Sequence, residues 1–311
     1  MTDHYAQTSL LLPMIGANNG TEFMDWSPVP KTVTRAGGIV TSTAQSKFYG
    51  SSARFDGIDD RLTLPADFLH MGADPWLIDG WILSDDFAAT RGVIGQRMDG
   101  ATSYNFLFFL NTSSKLTLAI GSSDGESAPY TIGATASLLA LAWHHFEISR
   151  TGDTFYLFLD GGLQATQAVS AGFVMHASIA LAQIGAYNEV LTGYYKGYMQ
   201  DLRVVKGVGG HTASFAPPSR RLGTISNTNG APITDENGAP AQRKIFAVPR
   251  SYFGAGGVGR IWSTESDADG RYELWAPAGV EHSRIIVAQD SGSPGPADPV
   301  LPDLIDRVIP A

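Results

Sequence analysis

Along residues 1 to 222, apolar and polar residues alternate in short runs closed by Gly, Asp, Asn or Ser. Such runs are ARFDG (53–57), RLTLP (61–65), WLIDGWIL (76–83), GVIGQR (92–97), YNFLFFLN (104–111) and KLTLAIG (115–121). WHHFEISRTG (143–152), TFYLFLDGG (154–162), ALAQIGAY (180–187) and the opening segment continue the pattern. Period-two runs of this length predict the strands of a sandwich or barrel. Helical periodicity is nearly absent; the best short helices are predicted at ADFLHMG (66–72) and TASLLALA (135–142). TGD and DGG bracket the run TFYLFL, and an Asp-Gly pair at a strand end predicts a hairpin with a type I′ turn. In GYYKGYMQDLRVVKG (193–207), strict alternation puts Tyr198, Gln200, Leu202 and Val204 on one face. Met199, Asp201, Arg203 and Val205 take the other, and Leu202 and Val204 are the expected core pair.

FAPPSRRLG (215–223) marks a boundary, because paired prolines cannot donate to a sheet ladder. Beyond it KIFAVPR (244–250), GRIWSTE (259–265), GRYELWAP (270–277) and SRIIVAQ (283–289) read as a second, smaller strand set. The last 21 residues hold five prolines and should be extended, with LIDRVI packing back or docking on a partner. The expected division is 5–222, 223–291 and a tail at 292–311. Composition agrees with an all-β chain: 311 residues, 43% hydrophobic, 16% charged, and 35 glycines available for tight turns. Net charge is −9, both parts are acidic and no basic run occurs, which disfavours nucleic acid and anionic membranes as partners. With no cysteine, disulfides and thiolate metal sites are excluded. The acidic start and the short apolar run Leu10 to Leu12, broken by Pro13, do not make a signal peptide, and the lack of cysteine is compatible with assembly in a reducing cytoplasm. No run approaches the ~18 apolar residues of a spanning helix.

KFYGSSARFDGIDDRLTLP (47–65), WLIDGWI (76–82), WHHFEISRTGDTFYLFLDGG (143–162), IGAYNEVLTGYYKGYMQDLRVVKG (184–207) and SFAPPS (214–219) together resemble a laminin-G-like, concanavalin-A-like jelly roll. The KFG-like start, the KGV after the last strand and the terminal PP resemble the versions found in bacteriophage and prophage tail proteins. TNGAPITDENGAPAQRKIFAVPRS followed by STESDADGRYEL resembles a carboxypeptidase-regulatory-like, Ig-like sandwich. The resemblance implies an all-β chain: a jelly roll, a small Ig-like sandwich and an extended tail. It further implies a virion component of the tail, tail tip or fibre.

Candidate chemistry is sparse. Glycosidases on this fold resemble one another in an E-x-D-x-E strand, which aligns carboxylates on one face. Here the comparable strand acid, Glu147, has no carboxylate two or four residues away. His144 and His145 are adjacent and point to opposite faces of a regular strand, so they do not chelate together. Asp56, Asp59 and Asp60 offer oxygen ligands for calcium, though a tight Asp-Gly turn that exposes acids to solvent explains them better. TDENG (234–238) and SDADGRY (266–272) fit hairpin turns better than ion loops. The resemblance adds Asp201, in the last strand, as a calcium ligand. Two loops carry the aromatic and amide residues that sugar recognition uses: Tyr187, Asn188, Tyr194 and Tyr195 in one, Asp99, Tyr104 and Asn105 in the other, although tyrosines of a β-rich chain more often line the core or pair across strands. Trp76, Trp81 and Trp143 sit in strand runs and read as core.

The expectation is a non-enzymatic virion protein that contributes to recognition of a host-surface glycan. It needs no cofactor beyond a structural calcium. Its partners would be other tail proteins and further copies of itself, with no membrane insertion. A glycan-degrading hydrolase on the same fold and a purely structural decoration protein are the alternatives.

Overall fold

The computed structural model describes residues 4–97, 104–121, 130–177, 179–186, 193–218, 222–226, 240, 243–249, 262–277, 282–288 and 303–308. Of residues 104–105 and of the strands beyond residue 221, apart from Ile245 and residues 266–277, it describes the backbone alone. The chain divides into two compact units, His4–Ser219 and Arg220–Ala311.

The first unit holds β1 (Thr8–Leu12), β2 (Thr34–Ala36), β3 (Val40–Ser42), β4 (Ser52–Asp56), β5 (Arg61–Leu64), β6 (Trp76–Ser84), β7 (Arg91–Arg97) and β8 (Tyr104–Leu110), of which β2 and β3 fall outside the alternating runs. They continue as β9 (Leu116–Ile120), β10 (Tyr130–Gly133), β11 (Trp143–Thr151), β12 (Thr154–Leu159), β13 (Gly162–Ala168), β14 (Ala182–Ile184) and β15 (Lys196–Lys206). One antiparallel sheet has the order β13-β12-β11-β6-β15-β4-β3, with β1 also on β15; the other is β10-β9-β8-β7-β14-β5-β2. Their inner faces bury one core that includes Leu62, Ile78, Ile94, Phe106, Phe108, Phe146, Ile148, Phe155 and Ile184. This is the all-β jelly-roll sandwich that the alternation and the resemblance implied. The only described helical turn is a 3₁₀ turn at Tyr5–Gln7. No helix among the described residues is long and apolar enough to cross a membrane.

Both predicted helices are absent, and the reason is visible in the hydrogen bonds. In residues 66–72, the carbonyls of Ala66 and Phe68 are taken by the side chains of Gln96 and Lys206 instead of by the next turn. Phe68, Leu69 and Met71 fill the core. In residues 135–142, Leu138 N–H donates to Ser114 O and Leu141 N–H to Ser84 O, both 2.8 Å, so the segment is tied to neighbouring strands.

The hairpins form as their glycines direct. Leu159 faces Gly162 across a two-residue turn in which Asp160 has φ 50° and Gly161 φ 75°, the paired positive values of a type I′ turn. In β15 the alternation fails. Gln200 pairs with Trp81 and Arg203 with Asp79, so Asp201 and Leu202 together oppose the single residue Gly80. Asp201, at φ 57°, carries this bulge. Met199 therefore joins Leu202 and Val204 in the core, while Gln200 and Arg203 take the outer face.

That outer face is itself covered. Gln200 Oε1 accepts the N–H groups of Lys47 and Phe48 at 2.8 and 3.0 Å, and Lys47 Nζ sits 4.2 Å from the Trp81 ring. Farther along, residues 207–217 form a strap. His211 N–H donates to Glu147 Oε1 at 2.8 Å, and the His211 ring stacks on Phe215 at 3.6 Å.

The second unit holds β16 (Leu222–Ser226), β17 (Arg243–Pro249), β18 (Trp262–Glu265), β19 (Glu273–Pro277), β20 (His282–Ala288) and β21 (Asp303–Val308). β16 pairs with β19, and the others form a four-stranded sheet in the order β18-β17-β20-β21. Residues 304–308 of the proline-rich tail thus lie within β21, on the edge of this sheet. SDADGRY is a turn in which Asp267 Oδ1 accepts the N–H groups of Asp269 and Arg271. TDENG lies outside the described residues.

Candidate functional site

The loops that follow β4, β6 and β14 converge at one end of the sandwich. Lys196 pairs with Asp56 across the β15–β4 ladder, and Gly92 N–H reaches Gly193 O at 2.7 Å. Asp86 is the hub: it accepts from Lys196 Nζ at 2.7 Å and from Arg91 Nη2 at 3.0 Å. The Lys196 hydrogen bond, reinforced by Arg91, outweighs partial burial and holds the Asp86 carboxyl at about 2. Arg91 Nη1 donates to Tyr194 O at 3.0 Å, which ties the same guanidinium to the β14–β15 loop. Beside it Arg54 binds Asp85 at 2.7 Å and lies 4.7 Å from the Tyr198 ring.

Asp56, Asp59 and Asp60 meet at this rim, with one carboxylate oxygen of each within 4.8 Å of the others. Asp60 is buried, and its Oδ2 accepts the Asp56 N–H at 2.8 Å, which closes the turn. Burial pushes its carboxyl up, and the neighbouring charges of Asp56 and Asp59 add to the rise against backbone hydrogen bonds. Asp56 Oδ1 accepts the Ile58 N–H at 2.7 Å. Asp56 and Asp59 are exposed, and Arg61 Nη1 donates to Asp59 O at 3.0 Å. Asp201 stands elsewhere: five residues along β15, roughly 16 Å at the usual strand rise, where Tyr49 Oη donates to its Oδ2 at 2.8 Å.

Tyr194 is half-buried at the rim. Burial raises its phenol, Arg61 pulls against that rise and Asp59 adds to it, so its charge environment couples it to both. Tyr195 turns inward. It is fully buried, edge-on to Phe55 at 5.8 Å, and burial pushes its phenol far up. A core residue in this position cannot touch a sugar. Tyr187, Asn188 and Asp99 lie outside the described residues, as do the side chains of Tyr104 and Asn105.

Backbone register separates the two loops expected to bind sugar. Gln183 pairs with Gly95 and Ile184 with Ile94, so β14 runs toward the start of β7. The loop after β14 leaves beside Arg91, whereas the loop after β7 leaves at Arg97, ~20 Å away over six strand rises. Sequence order gave no sign of this, because which strand neighbours which is a property of the sheet. Arg54, Arg61, Asp85, Asp86, Arg91 and Lys196 also escaped sequence reasoning. The one available signal was their position at strand ends next to turns.

The buried acids Asp79 and Glu147 are each held by basic groups, Asp79 by Arg203 with His145 at 3.9 Å and Glu147 by His211. Arg203 binds Asp79 through Nε and Nη2, both at 3.1 Å, and His211 Nδ1 is 2.8 Å from Glu147 Oε2. Glu147 and Asp79 are register partners, so the sheet supplies opposite Glu147 the carboxylate missing along its own strand. Each is 1% exposed and engaged by a basic group. His145 is fully buried and His144 half-buried, in keeping with opposite faces. Trp76 and Trp81 are buried; Trp143 is half-buried.

Residues 56–209 match the family model described as the concanavalin A-like lectin/glucanases superfamily. No curated protein sequence matches the chain. Among solved structures, the binding domain of Paraclostridial Mosquitocidal Protein 1 aligns at 9% identity over 98% of this chain and 76% of that one, with a TM-score of 0.50. Domain 4 of AbnA, a GH43 extracellular arabinanase from Geobacillus stearothermophilus in complex with arabinotriose, aligns at 18% identity over 58% and 84%, TM-score 0.42. The CBM40 of Ruminococcus gnavus IT-sialidase bound to sialyllactose aligns at 14% identity over 45% and 78%, TM-score 0.39. At these identities the likeness concerns the fold.

Proposed function

We propose that this chain is a non-catalytic binding module that recognises a glycan through the rim around Tyr194. The observation that carries the reading is the half-exposed Tyr194 at the rim, its backbone carbonyl held by Arg91, where the charges of the exposed acid Asp59 and of Arg61 both act on its phenol. An aromatic plate takes the apolar face of a pyranose, and a carboxylate beside a guanidinium takes its hydroxyls as acceptor and donor. The matched family joins lectins with glucanases, so the fold admits hydrolysis as well as binding. A binding role is favoured because Asp79 and Glu147, the register-paired carboxylates, are buried and held by Arg203 and His211.

The sequence resemblance to phage and prophage tail proteins supplies the setting we propose: a tail, tail-tip or fibre component carried on the virion. It would be present in several copies, docked on other tail proteins and facing a host-surface glycan. Repetition would turn weak single contacts into avid attachment. Antibody labelling of particles tests that setting, and particles that carry no label overturn it.

A glycan array probed with the full chain and with Tyr194→Ala tests the site. Binding should fall ~10-fold or more in the variant, at unchanged melting temperature, as expected for loss of a central aromatic contact. New reducing ends on incubation with the bound polysaccharide would replace the binding role by a hydrolytic one. A blank array and blank whole-cell binding, with the protein folded, would leave a structural protein. A structural calcium, the one cofactor in this reading, would sit on the oxygens of Asp56, Asp59 and Asp60, hard donors suited to it. Millimolar calcium should then raise the melting midpoint of EDTA-treated protein and leave Asp59→Asn unmoved; a midpoint indifferent to calcium in both removes the ion from the proposal.

A further inference from the structure

His144 opens the body of β11 half-buried, with both ring nitrogens engaged. Nδ1 lies 2.7 Å from Asp160 Oδ2, and Nε2 lies 3.0 Å from the backbone nitrogen of Leu139. An amide N–H can only donate and an ionised carboxylate can only accept. Nε2 therefore presents its lone pair to Leu139, and Nδ1 carries the proton given to Asp160. The two partners fix one state of the ring, the neutral Nδ1–H tautomer.

The anion in this arrangement is well held. Asp160 Oδ1 accepts the His145 N–H at 2.8 Å, and Asp160 N–H returns to His145 O at 2.8 Å. Asp160, from the β12–β13 turn, is the charged group that faces the ring, with His145 next to it on its own strand. Residues 135–142 carry no ionisable side chain, and the register partner on β6 is Ile82.

What His144 holds is an unusual segment. Leu138 is buried, but Leu139 and Leu141 are 70% and 71% exposed, and Leu141 sits at φ 59°, a backbone region that disfavours a branched side chain. Four N–H bonds keep it in place, the first from Ala136 to Gln164 Oε1 at 2.9 Å and the others from Leu138, Leu139 and Leu141. Leu138 and Leu141 donate to main-chain carbonyls, which do not titrate, whereas Leu139 donates to a nitrogen that does. A second proton on Nε2 would set two donors face to face, and the Leu139 bond cannot survive it.

We propose that His144 is an acid-sensitive latch on the Leu139 amide: neutral, it pins the chain between the exposed Leu139 and Leu141, and doubly protonated it lets that point go. Acidification thereby loosens the stretch around Leu139 while the bonds of Ala136, Leu138 and Leu141 and the β-sheets beneath stay in place.

Nuclear magnetic resonance on the ¹⁵N-labelled full chain tests this between slightly alkaline and mildly acid pH. The ring nitrogens of His144 should report the Nδ1–H tautomer at the alkaline end. The protection of the Leu139 amide against hydrogen exchange should drop by about 5-fold or more in step with the second proton, as for loss of one hydrogen bond. The Leu138 amide should stay protected. His144→Phe should leave Leu139 unprotected throughout. An Nε2–H tautomer at alkaline pH, or Leu139 protection that ignores the ring's second proton, would each overturn the latch.

Discussion

Tyr195 shows how far one position can move a functional reading. Beside Tyr194 in the sequence, it looks like half of an aromatic platform, yet consecutive residues of an extended chain face opposite ways. Tyr195 N–H is fixed to Gly185 O at 2.8 Å, and its ring goes under the sheet against Phe55. Gly185, at φ 85°, permits this approach, because a Cβ there would strike the Phe55 ring. The phenol oxygen of Tyr195 is buried with no hydrogen-bond partner among the described residues. A buried, unsatisfied hydroxyl carries a desolvation cost and returns nothing. Tyr195→Phe should accordingly be neutral or stabilising by up to ~1 kcal/mol, whereas Tyr195→Ala should cost ~3–5 kcal/mol through the cavity it leaves. Urea midpoints of the two variants measure both, and neither should change binding at the rim except through folding. A clear loss of stability in Tyr195→Phe would mean that the hydroxyl has a partner after all.

At the scale of elements, strands and two-residue turns were legible and irregularities were not. Alternation placed most strands of the first unit within a few residues but missed the short or polar β2, β3, β10 and β13, and the Asp-Gly pair named its own turn, because each signal is local. The bulge at Asp201 has no such signal. A residue at φ 57° looks in sequence like any other strand position, and Asp is among the few side chains that tolerate the left-handed region. One extra residue there exchanges the faces of everything after it. That is why Met199 shares the core with Leu202 and Val204, and why Arg203 instead reaches Asp79 on β6. The helices expected at 66–72 and 135–142 failed for the complementary reason. Their composition suits a helix, but their backbone groups are bonded to Gln96, Lys206, Ser84 and Ser114, all distant in sequence. For the site, Asp56, Asp59 and Asp60 were legible as a group because one turn holds them. Their meeting with Tyr194, Arg91 and Lys196 was not, since it depends on β4 and β15 being neighbours.

Taken whole, the first unit is acidic but internally paired, and its response to acid follows from which carboxylates the fold favours. Asp86 is held at about 2, against 3.8 in the unfolded chain, chiefly by Lys196 and then Arg91. A depressed carboxyl contributes stability that is complete above its unfolded value and lost as pH falls through its folded one. Asp160 acts in the same direction: burial alone would raise it, but His144 and the His145 N–H bring it below its ordinary value. Asp60 has the opposite sign, because its raised carboxyl costs stability while ionised and relieves that cost as it takes a proton. The melting midpoint should therefore hold or rise slightly while Asp60 protonates, and fall between pH about 4 and about 2 as Asp86 loses its charge. Asp86→Asn isolates the second step. The variant should start less stable at neutral pH, since Lys196 and Arg91 lose their shared anion, and should decline less steeply than wild type over that window. Because general charge repulsion in acid acts on both proteins alike, the difference between the two curves reads Asp86 alone. Parallel curves over that window would show that the rim pairs, exposed as Lys196 is, are screened by solvent and leave the acid limb to other groups.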